Sequence, residues 1–243
     1  MPIKLLTFDL DDTLWPCMIT ITRTEERLHQ WFSQHHPYIP AQYNIKQLRE
    51  KRTQLVTKHQ HIAHDLTAVR KKSFALLSRE MGYSPEQEKQ FIQAAYEFYI
   101  NERNKVSLYE DVIPTLKTLK ADFRLGAVSN GNADIYQVGL GHLFDFSWSA
   151  ADAGKQKPHP IVFNSLLEKQ QLEAHEVIHI GDDPLTDIQG AQQSGIRAIW
   201  LNRDHLPWPE KINPPFIEID QLNQLPDILK ALLDYPQSSA IFR

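Results

Sequence analysis

A chain of 243 residues, 42% of them apolar and 23% charged, can bury a real core and is neither a disordered tract nor a peptide. No uninterrupted apolar run approaches the roughly 18 residues that cross a bilayer, and the single cysteine, Cys17, excludes an internal disulfide. The net charge of −4 is unevenly spread: residues 16–105 carry 14 Lys+Arg against 9 Asp+Glu, and the remainder 12 against 21. An acidic body with a basic insert is unlike a nucleic-acid binder, whose domain is basic as a whole. The expectation is a soluble protein of the reducing cytoplasm, with neither nucleic acid nor membrane as partner. The start, Met1-Pro2-Ile3-Lys4, lacks a signal-peptide pattern.

In chain order, the first element is an apolar run that reads as a buried strand and ends in Phe8-Asp9-Leu10-Asp11-Asp12-Thr13-Leu14. Side chains alternate along a strand, so Asp9 and Asp11 project to the same side where it opens into a loop. Two carboxylates in one small volume repel unless a proton or a cation separates their roles. The pair therefore suits Mg²⁺-dependent phosphoryl transfer, one acid as nucleophile and the other as proton donor. An acidic strand end in a loop is the alternative. Residues 17–105 then read as helical almost throughout: Thr24–His35, Asn44–His59, Asp65–Met81 and Pro85–Asn104. Phe91, Ile92, Ala95, Phe98 and Tyr99 recur at the spacing of a bundle.

Beyond this insertion, strand-like runs cover Phe123–Ser129, Phe144–Ser149, Val177–Gly181, Ala198–Leu201 and Phe216–Ile219. Helical patterns cover Val112–Lys120, Pro160–Gln170, Asp187–Ser194 and Gln224–Leu233. Alternation of this kind predicts an α/β fold, a doubly wound and mostly parallel Rossmann-like sheet. Residues 1–16 and 106–243 would form that core, and 17–105 an inserted helical bundle. The Pro-rich stretch from Leu206 to Pro215 reads as a surface loop.

Open α/β sheets gather ligands at the carboxyl ends of their strands, so three further segments could converge on Asp9. Ser129-Asn130-Gly131-Asn132 offers a hydroxyl, an amide and a glycine turn as donors for a phosphoryl oxygen, or is an ordinary capped β-turn. Lys157, before Pro158-His159-Pro160, could balance the charge of a bound phosphate and of the attacking carboxylate; the alternative is a solvated loop lysine. Gly181-Asp182-Asp183 ends another apolar strand. Asp9 and Asp182 could hold Mg²⁺ with the backbone carbonyl of Asp11, a phosphate oxygen and water, since Mg²⁺ takes hard oxygen ligands. Asp187 could hold a metal-bound water or orient Lys157, while an acidic helix start also accounts for Asp183 and Asp187 through the helix dipole alone.

Taken together, Asp9-x-Asp11-x-Thr13, Ser129-Asn130, Lys157-Pro158 and Gly181-Asp182 with Asp187 strongly resemble the haloacid dehalogenase superfamily of phosphohydrolases. The helical insertion after the first strand looks like that superfamily's small cap. More narrowly, Phe8–Leu14, Ser129–Ala133, Gly139-Leu140-Gly141 and Gly181–Asp183 with Thr186-Asp187 resemble the bacterial flavin-pathway phosphatases, which act on 5-amino-6-(5-phosphoribitylamino)uracil and flavin mononucleotide. The resemblance implies Mg²⁺ as cofactor and a small-molecule phosphate ester as substrate, hydrolysed through an aspartyl-phosphate. Asp9 would be the nucleophile, Asp11 the proton donor and acceptor, and Lys157 the counter-cation. Thr13, Ser129, Asn130 and Gly131 would bind the transferring group; Asp9, Asp11 and Asp182 would hold the metal; Asp183 and Asp187 would support them from behind.

The rivals are a phosphatase of another metabolite (a sugar phosphate or a nucleotide), a phosphomutase, a dehalogenase and a phospho-receiver-like binding module. Asp11 and Asp182 argue against dehalogenation, which needs neither a protonated leaving group nor Mg²⁺. A receiver is about half this length. Among tempting residues elsewhere, His59 and His61 would point to different sides of a helix, which disfavours a metal site with His64. Arg70, Lys71 and Lys72 read as a solvated face from which one could reach a substrate's anionic tail. Trp31, Phe32, Phe98 and Tyr99 read as packed core or as a stacking surface for a flavin-like ring. Trp15, Pro16 and Cys17 lie where the chain leaves the acidic strand and would shape an entrance.

Overall fold

The computed structural model describes residues 3–234. Positions 1, 2 and 235–243, which the expected core includes, lie outside the described residues. The chain forms two compact units, one comprising residues up to Pro16, Leu108–Gly131 and Gly139 onward, the other Cys17–Ser107 with Asn132–Val138.

The first unit is built on a parallel sheet of six strands: β1 (Leu5–Phe8), β2 (Arg124–Ser129), β3 (Phe146–Ser149), β4 (Val177–Gly181), β5 (Arg197–Leu201) and β6 (Ile217–Ile219). Their spatial order is β3-β2-β1-β4-β5-β6. The chain therefore winds outward from β1 in one direction, then returns beside β1 and winds in the other. β1 and β4 are the neighbours at this reversal, in register Phe8 to Ile180. A crevice opens outside the carboxyl ends at such a switch point, and both acidic motifs sit there. Every residue of β1 and β4 is buried, as expected of strands covered on both faces. Trp200, Phe163, Trp148 and Ile188 are among the buried side chains of this unit's core.

The second unit is helical: α1 (Cys17–His35), α2 (Tyr38–Gln42), α3 (Ile45–Lys58), α4 (Leu66–Glu80) and α5 (Pro85–Arg103). Capping boxes start two of them, Asn44 with Gln47 and Ser84 with Gln87, each satisfying two otherwise orphaned backbone groups. Phe32, Phe74 and Phe91 meet ring to ring at about 6 Å in its core. Two local expectations need revision. α1 begins at Cys17, not Thr24, because Thr20 and Thr24 fill its inner positions and hide the apolar period until Leu28. Arg70 is 7% exposed, so it is not part of a solvated face.

The remaining helices follow in order: α6 (Val112–Lys120), α7 (Ile135–Val138, part of the second unit), α8 (Ala150–Ala153), α9 (Ile161–Gln170), α10 (Gly190–Gln193) and α11 (Leu225–Asp234). The helix expected from Asp187 starts earlier, as a π-helical turn over Pro184–Gln189 capped by Asp183, and only then becomes α10. Such turns recur at functional sites. No helix among the described residues is long and apolar enough to cross a membrane.

Candidate active site

Asp9 follows β1 directly, and its backbone N–H donates to Ile180 O at 2.9 Å, continuing the β1–β4 ladder by one step. This bond fixes where the Asp9 carboxylate emerges. The chain then reverses: Leu14 N donates to Leu10 O, and Asp12 N donates to Trp15 O, both at 2.8 Å. Asp12 makes the reversal with φ at 61°, a left-handed conformation that aspartate tolerates better than most residues. The turn brings the wholly buried Trp15 back onto Asp11, whose Oδ1 accepts the indole N–H at 2.8 Å.

Lys157 is the hub of the site. It is 3% exposed, and its ammonium donates to Asp9 Oδ1 at 2.6 Å, Asp187 Oδ1 at 2.6 Å and Val128 O at 2.8 Å. All three ammonium protons are thus used. Asn130 braces this lysine from behind, its Oδ1 accepting Lys157 N at 2.7 Å and its Nδ2 donating to Lys157 O at 3.0 Å. Ser129 Oγ accepts from Gly131 N at 2.9 Å, which leaves the hydroxyl proton available. Thr13 is wholly buried and donates to Asp182 Oδ1 at 2.9 Å. Its hydroxyl therefore stands behind a carboxylate, not in open space.

Asp187 is the most enclosed acid. Oδ1 also faces His179 Nε2 at 3.3 Å, and Oδ2 accepts Asp183 N at 3.0 Å. The other ring nitrogen, Nδ1, meets Thr7 Oγ1 at 2.9 Å, so the network assigns the imidazole proton to Nε2. Burial lowers the His179 pKa and keeps the ring neutral. Asp183 turns away and caps the following turn through Leu185 N and Thr186 N.

The electrostatics follow from three acids sharing one ammonium in a buried site. Burial raises the Asp9 carboxyl well above its ordinary value despite Lys157. Burial, then the Asp187 charge, pushes Asp182 up to about 7. Burial would also raise Asp187, but the Lys157 ammonium and the His179 contact outweigh it and hold this acid ionised well below the usual range. Burial alone would discharge Lys157, but Asp187 and Asp9 hold it charged. The site thus holds more acids than its own cation can keep ionised. Oxygens of Asp9, Asp182 and Asp187 lie within 4.8 Å of one another. An all-oxygen donor set with two carboxylates still open fits Mg²⁺ and not the softer transition metals.

Gly181 makes this packing possible. A Cβ there would lie 2.3 Å from Asp187 Cγ and 2.4 Å from its Oδ2, and Asp187 is pinned by three partners. Gly181→Ala is therefore expected to destabilise the fold by about 1–3 kcal/mol, as overpacking of cores does. It should also loosen Asp187 from Lys157. Thermal unfolding tests this, and an unchanged Tm would show that the two residues are not packed as described.

The model of haloacid dehalogenase-like hydrolases matches residues 6–201. This chain belongs to that family. The matched span runs from β1 through β5 and contains every residue of the site. Over 231 residues the hydrolase is 31% identical to the 5-amino-6-(5-phospho-D-ribitylamino)uracil phosphatase YigB of Escherichia coli, covering 93% of this chain and 96% of that one. It is 27% identical to a glyceraldehyde 3-phosphate phosphatase of Methanopyrus kandleri, covering 95% and 98%. Among solved structures, a 2-haloacid dehalogenase from Pseudomonas syringae pv. Tomato superposes with a TM-score of 0.88 at 35% identity, covering 94% of this chain and 99% of that one.

Of the residues singled out in the sequence, Asp9, Asp182, Asp187 and Lys157 meet in one cluster, joined by Thr13 and Asn130 through their contacts. Sequence reasoning missed the partners behind them. In the sequence Trp15 reads as an entrance residue and His179 as one more strand residue. Arg203 went unnoticed: it forms a two-pronged pair with Asp111 at 2.9 and 3.1 Å, stacks on Tyr109 and reaches Thr13 O. A histidine inside an apolar strand, three residues before the acid that closes it, is the one signal that could have pointed to such a partner.

Proposed function

We propose that this hydrolase is a Mg²⁺-dependent phosphatase that cleaves small-molecule phosphate monoesters through an aspartyl-phosphate. The observation that carries the reading is the oxygen-only cluster of Asp9 and Asp182 beside the buried Lys157. A dianionic phosphoryl group needs that much positive charge brought to it, and an alkyl halide does not. Asp9 attacks phosphorus as the bond to the ester oxygen breaks, splitting one hard displacement into two. Asp11 gives its proton to the departing alkoxide, then takes one from the water that attacks the intermediate, releasing inorganic phosphate and restoring Asp9. Lys157 neutralises Asp9 and the incoming oxygens, and Ser129 donates its hydroxyl to the transferring group. Thr13 orients Asp182, Asn130 holds the Lys157 backbone, and Asp187 keeps the ammonium charged. Asp9, Asp182 and the Asp11 carbonyl would hold Mg²⁺, which would supply charge neutralisation of the phosphoryl oxygens.

The likeness to YigB favours a flavin-pathway substrate, with the ribitylaminouracil phosphate first and flavin mononucleotide second. A screen of these two against sugar phosphates and nucleotides, with Mg²⁺ and with chelator, tests both levels. Phosphate release that disappears with chelator supports the chemistry, and a preference for the first two compounds supports the substrate. Release of chloride from 2-chloropropionate at a comparable rate would favour the dehalogenase reading that the Pseudomonas relative raises. Isomer formation without free phosphate would indicate a mutase.

Trp15 is assigned to positioning Asp11. Trp15→Phe keeps the buried ring but removes the N–H that holds the carboxylate. For an alkyl phosphate, whose leaving group requires a proton, kcat/KM should fall by about tenfold or more, a part of the roughly 10²–10⁴-fold that general-acid catalysis contributes. For p-nitrophenyl phosphate, whose leaving group departs unprotonated, it should change little. Equal losses on both would mean that Trp15 serves the fold and not Asp11.

A further inference from the structure

The helical unit contains a cavity of about 210 Å³ between α1, α3 and α4. Leu28, Phe32, Leu55 and Phe74 give it an apolar floor, while Arg52 and Arg70 bring two guanidinium side chains to it. The volume exceeds the roughly 150 Å³ of an engineered apolar cavity that accepts benzene.

Arg70 is the unusual member. It is 7% exposed, and its guanidinium carbon lies 4.0 Å from the centre of the Tyr99 ring. Stacking occupies a face of the guanidinium, whereas its five N–H donors lie at the edge, in the plane. No side chain or carbonyl among the described residues accepts from that edge. Among the described residues no Arg70 nitrogen is both sealed from solvent and unpaired, so that edge is open to water on the side of the cavity Arg70 lines. The near carboxylate, Glu25, is already committed: Arg49 Nε and Arg52 Nη2 both donate to it. Arg70 is also close enough that its charge adds to burial in pulling the Arg52 pKa below its ordinary value. Two guanidiniums thus share one buried carboxylate, and Arg70 beside them has no carboxylate of its own among the described residues. An unused guanidinium edge that opens beside an apolar floor can be paired by an anion that carries an apolar body.

We propose that this cavity is a binding site for a small amphipathic carboxylate of about phenylacetate size. The carboxylate lies against the free edge of Arg70, and the apolar body covers Leu28, Phe32, Leu55 and Phe74. A carboxylate matches the planar guanidinium fork with two parallel hydrogen bonds. The apolar floor favours a single charge with a hydrocarbon body over a hydrated dianion such as inorganic phosphate. The site is built wholly from the helical unit and is independent of the phosphate-ester chemistry assigned to the other unit.

The test is an NMR titration of the full chain with phenylacetate and with its neutral isostere phenylacetamide. Phenylacetate should move the Leu28 and Leu55 methyl resonances and the Arg70 Nε–H signal, and bind about tenfold more tightly than the amide, as one charge-assisted pair would give. Arg70→Met, which keeps an unbranched stem beside Tyr99, should abolish that preference while circular dichroism remains that of the parent. Should this variant not fold, the parent chain decides alone, by the location of the shifts and the ratio of the two affinities. Equal affinities, shifts confined to other residues, or no binding of either compound would each overturn the proposal. No turnover is measured, so failure here and failure of the phosphatase reading are separately visible.

Discussion

Asp9→Asn is expected to abolish turnover, by about 10⁵–10⁶-fold as for loss of a covalent nucleophile, and to leave the protein at least as stable as its parent. Asparagine has nearly the same shape and can still accept from Lys157, but its amide cannot attack phosphorus. The stability half of the prediction comes from the charge count. Asp9, Asp182 and Asp187 crowd oxygens within 4.8 Å around one ammonium, and Lys157 retains Asp187 when Asp9 loses its charge. Removing one of three like charges relieves repulsion in a buried site. In the absence of added metal, the Tm of the variant should equal or exceed that of the parent, the usual conflict between stability and an active-site charge. Phosphate release and thermal unfolding measured on the same preparation test both halves. Mg²⁺-dependent turnover within a hundredfold of the parent would remove Asp9 as the nucleophile.

Lys157→Met should do the opposite to stability while also abolishing activity. The substitution keeps the buried stem but leaves the Asp9 and Asp187 carboxylates, each bonded to the ammonium at 2.6 Å, without a counter-charge. Breaking a buried pair from one side typically costs about 3–5 kcal/mol. At about 2–4 °C per kcal/mol for a chain of this size, Tm should fall by on the order of 10 °C. Adding Asp187→Asn restores the charge balance, so the double variant should regain most of the lost Tm and none of the turnover. A double variant that recovers both would show that Lys157 is needed only to neutralise Asp187. An unchanged Tm in the single variant would contradict the burial of the ion pair.

Much of this arrangement was legible beforehand. The strand expected at Val177–Gly181 has those bounds, and those expected at Phe123–Ser129 and Ala198–Leu201 are displaced by one residue at one end. Strands buried on both faces appear as short apolar runs, and their order alternating with helices permits few topologies. The acids at the ends of β1 and β4 were visible for the same reason, because a polar residue that closes an apolar run has few structural explanations. The helical insertion was visible from its period, though its first two turns were not. There, threonines occupy the inner face of α1, and the packing that tolerates them is tertiary.

The sequence by itself determined which residue types stand at the switch point between β1 and β4, since strand periodicity and chain order bring Asp9 and Asp182 to the same edge. It also placed a helical stretch between the first strand and the rest of the sheet, whereas the grouping of Asn132–Val138 with the helical unit appears only in the folded chain. Only the tertiary structure decided what each acid touches. That Thr13 backs Asp182, that Asn130 braces Lys157, that Trp15 holds Asp11 and that His179 supports Asp187 depends on side-chain contacts, the farthest of them between residues 169 positions apart. Local pattern carries no trace of them. The same holds for Arg70, which sits in a run of three basic residues that reads as solvated. Its burial and its unused donor edge come from the packing of α4 against Tyr99 and from Glu25 being taken by two other arginines. Periodicity reports which face of an element turns inward, whereas partners are set by the three-dimensional meeting of several faces at once.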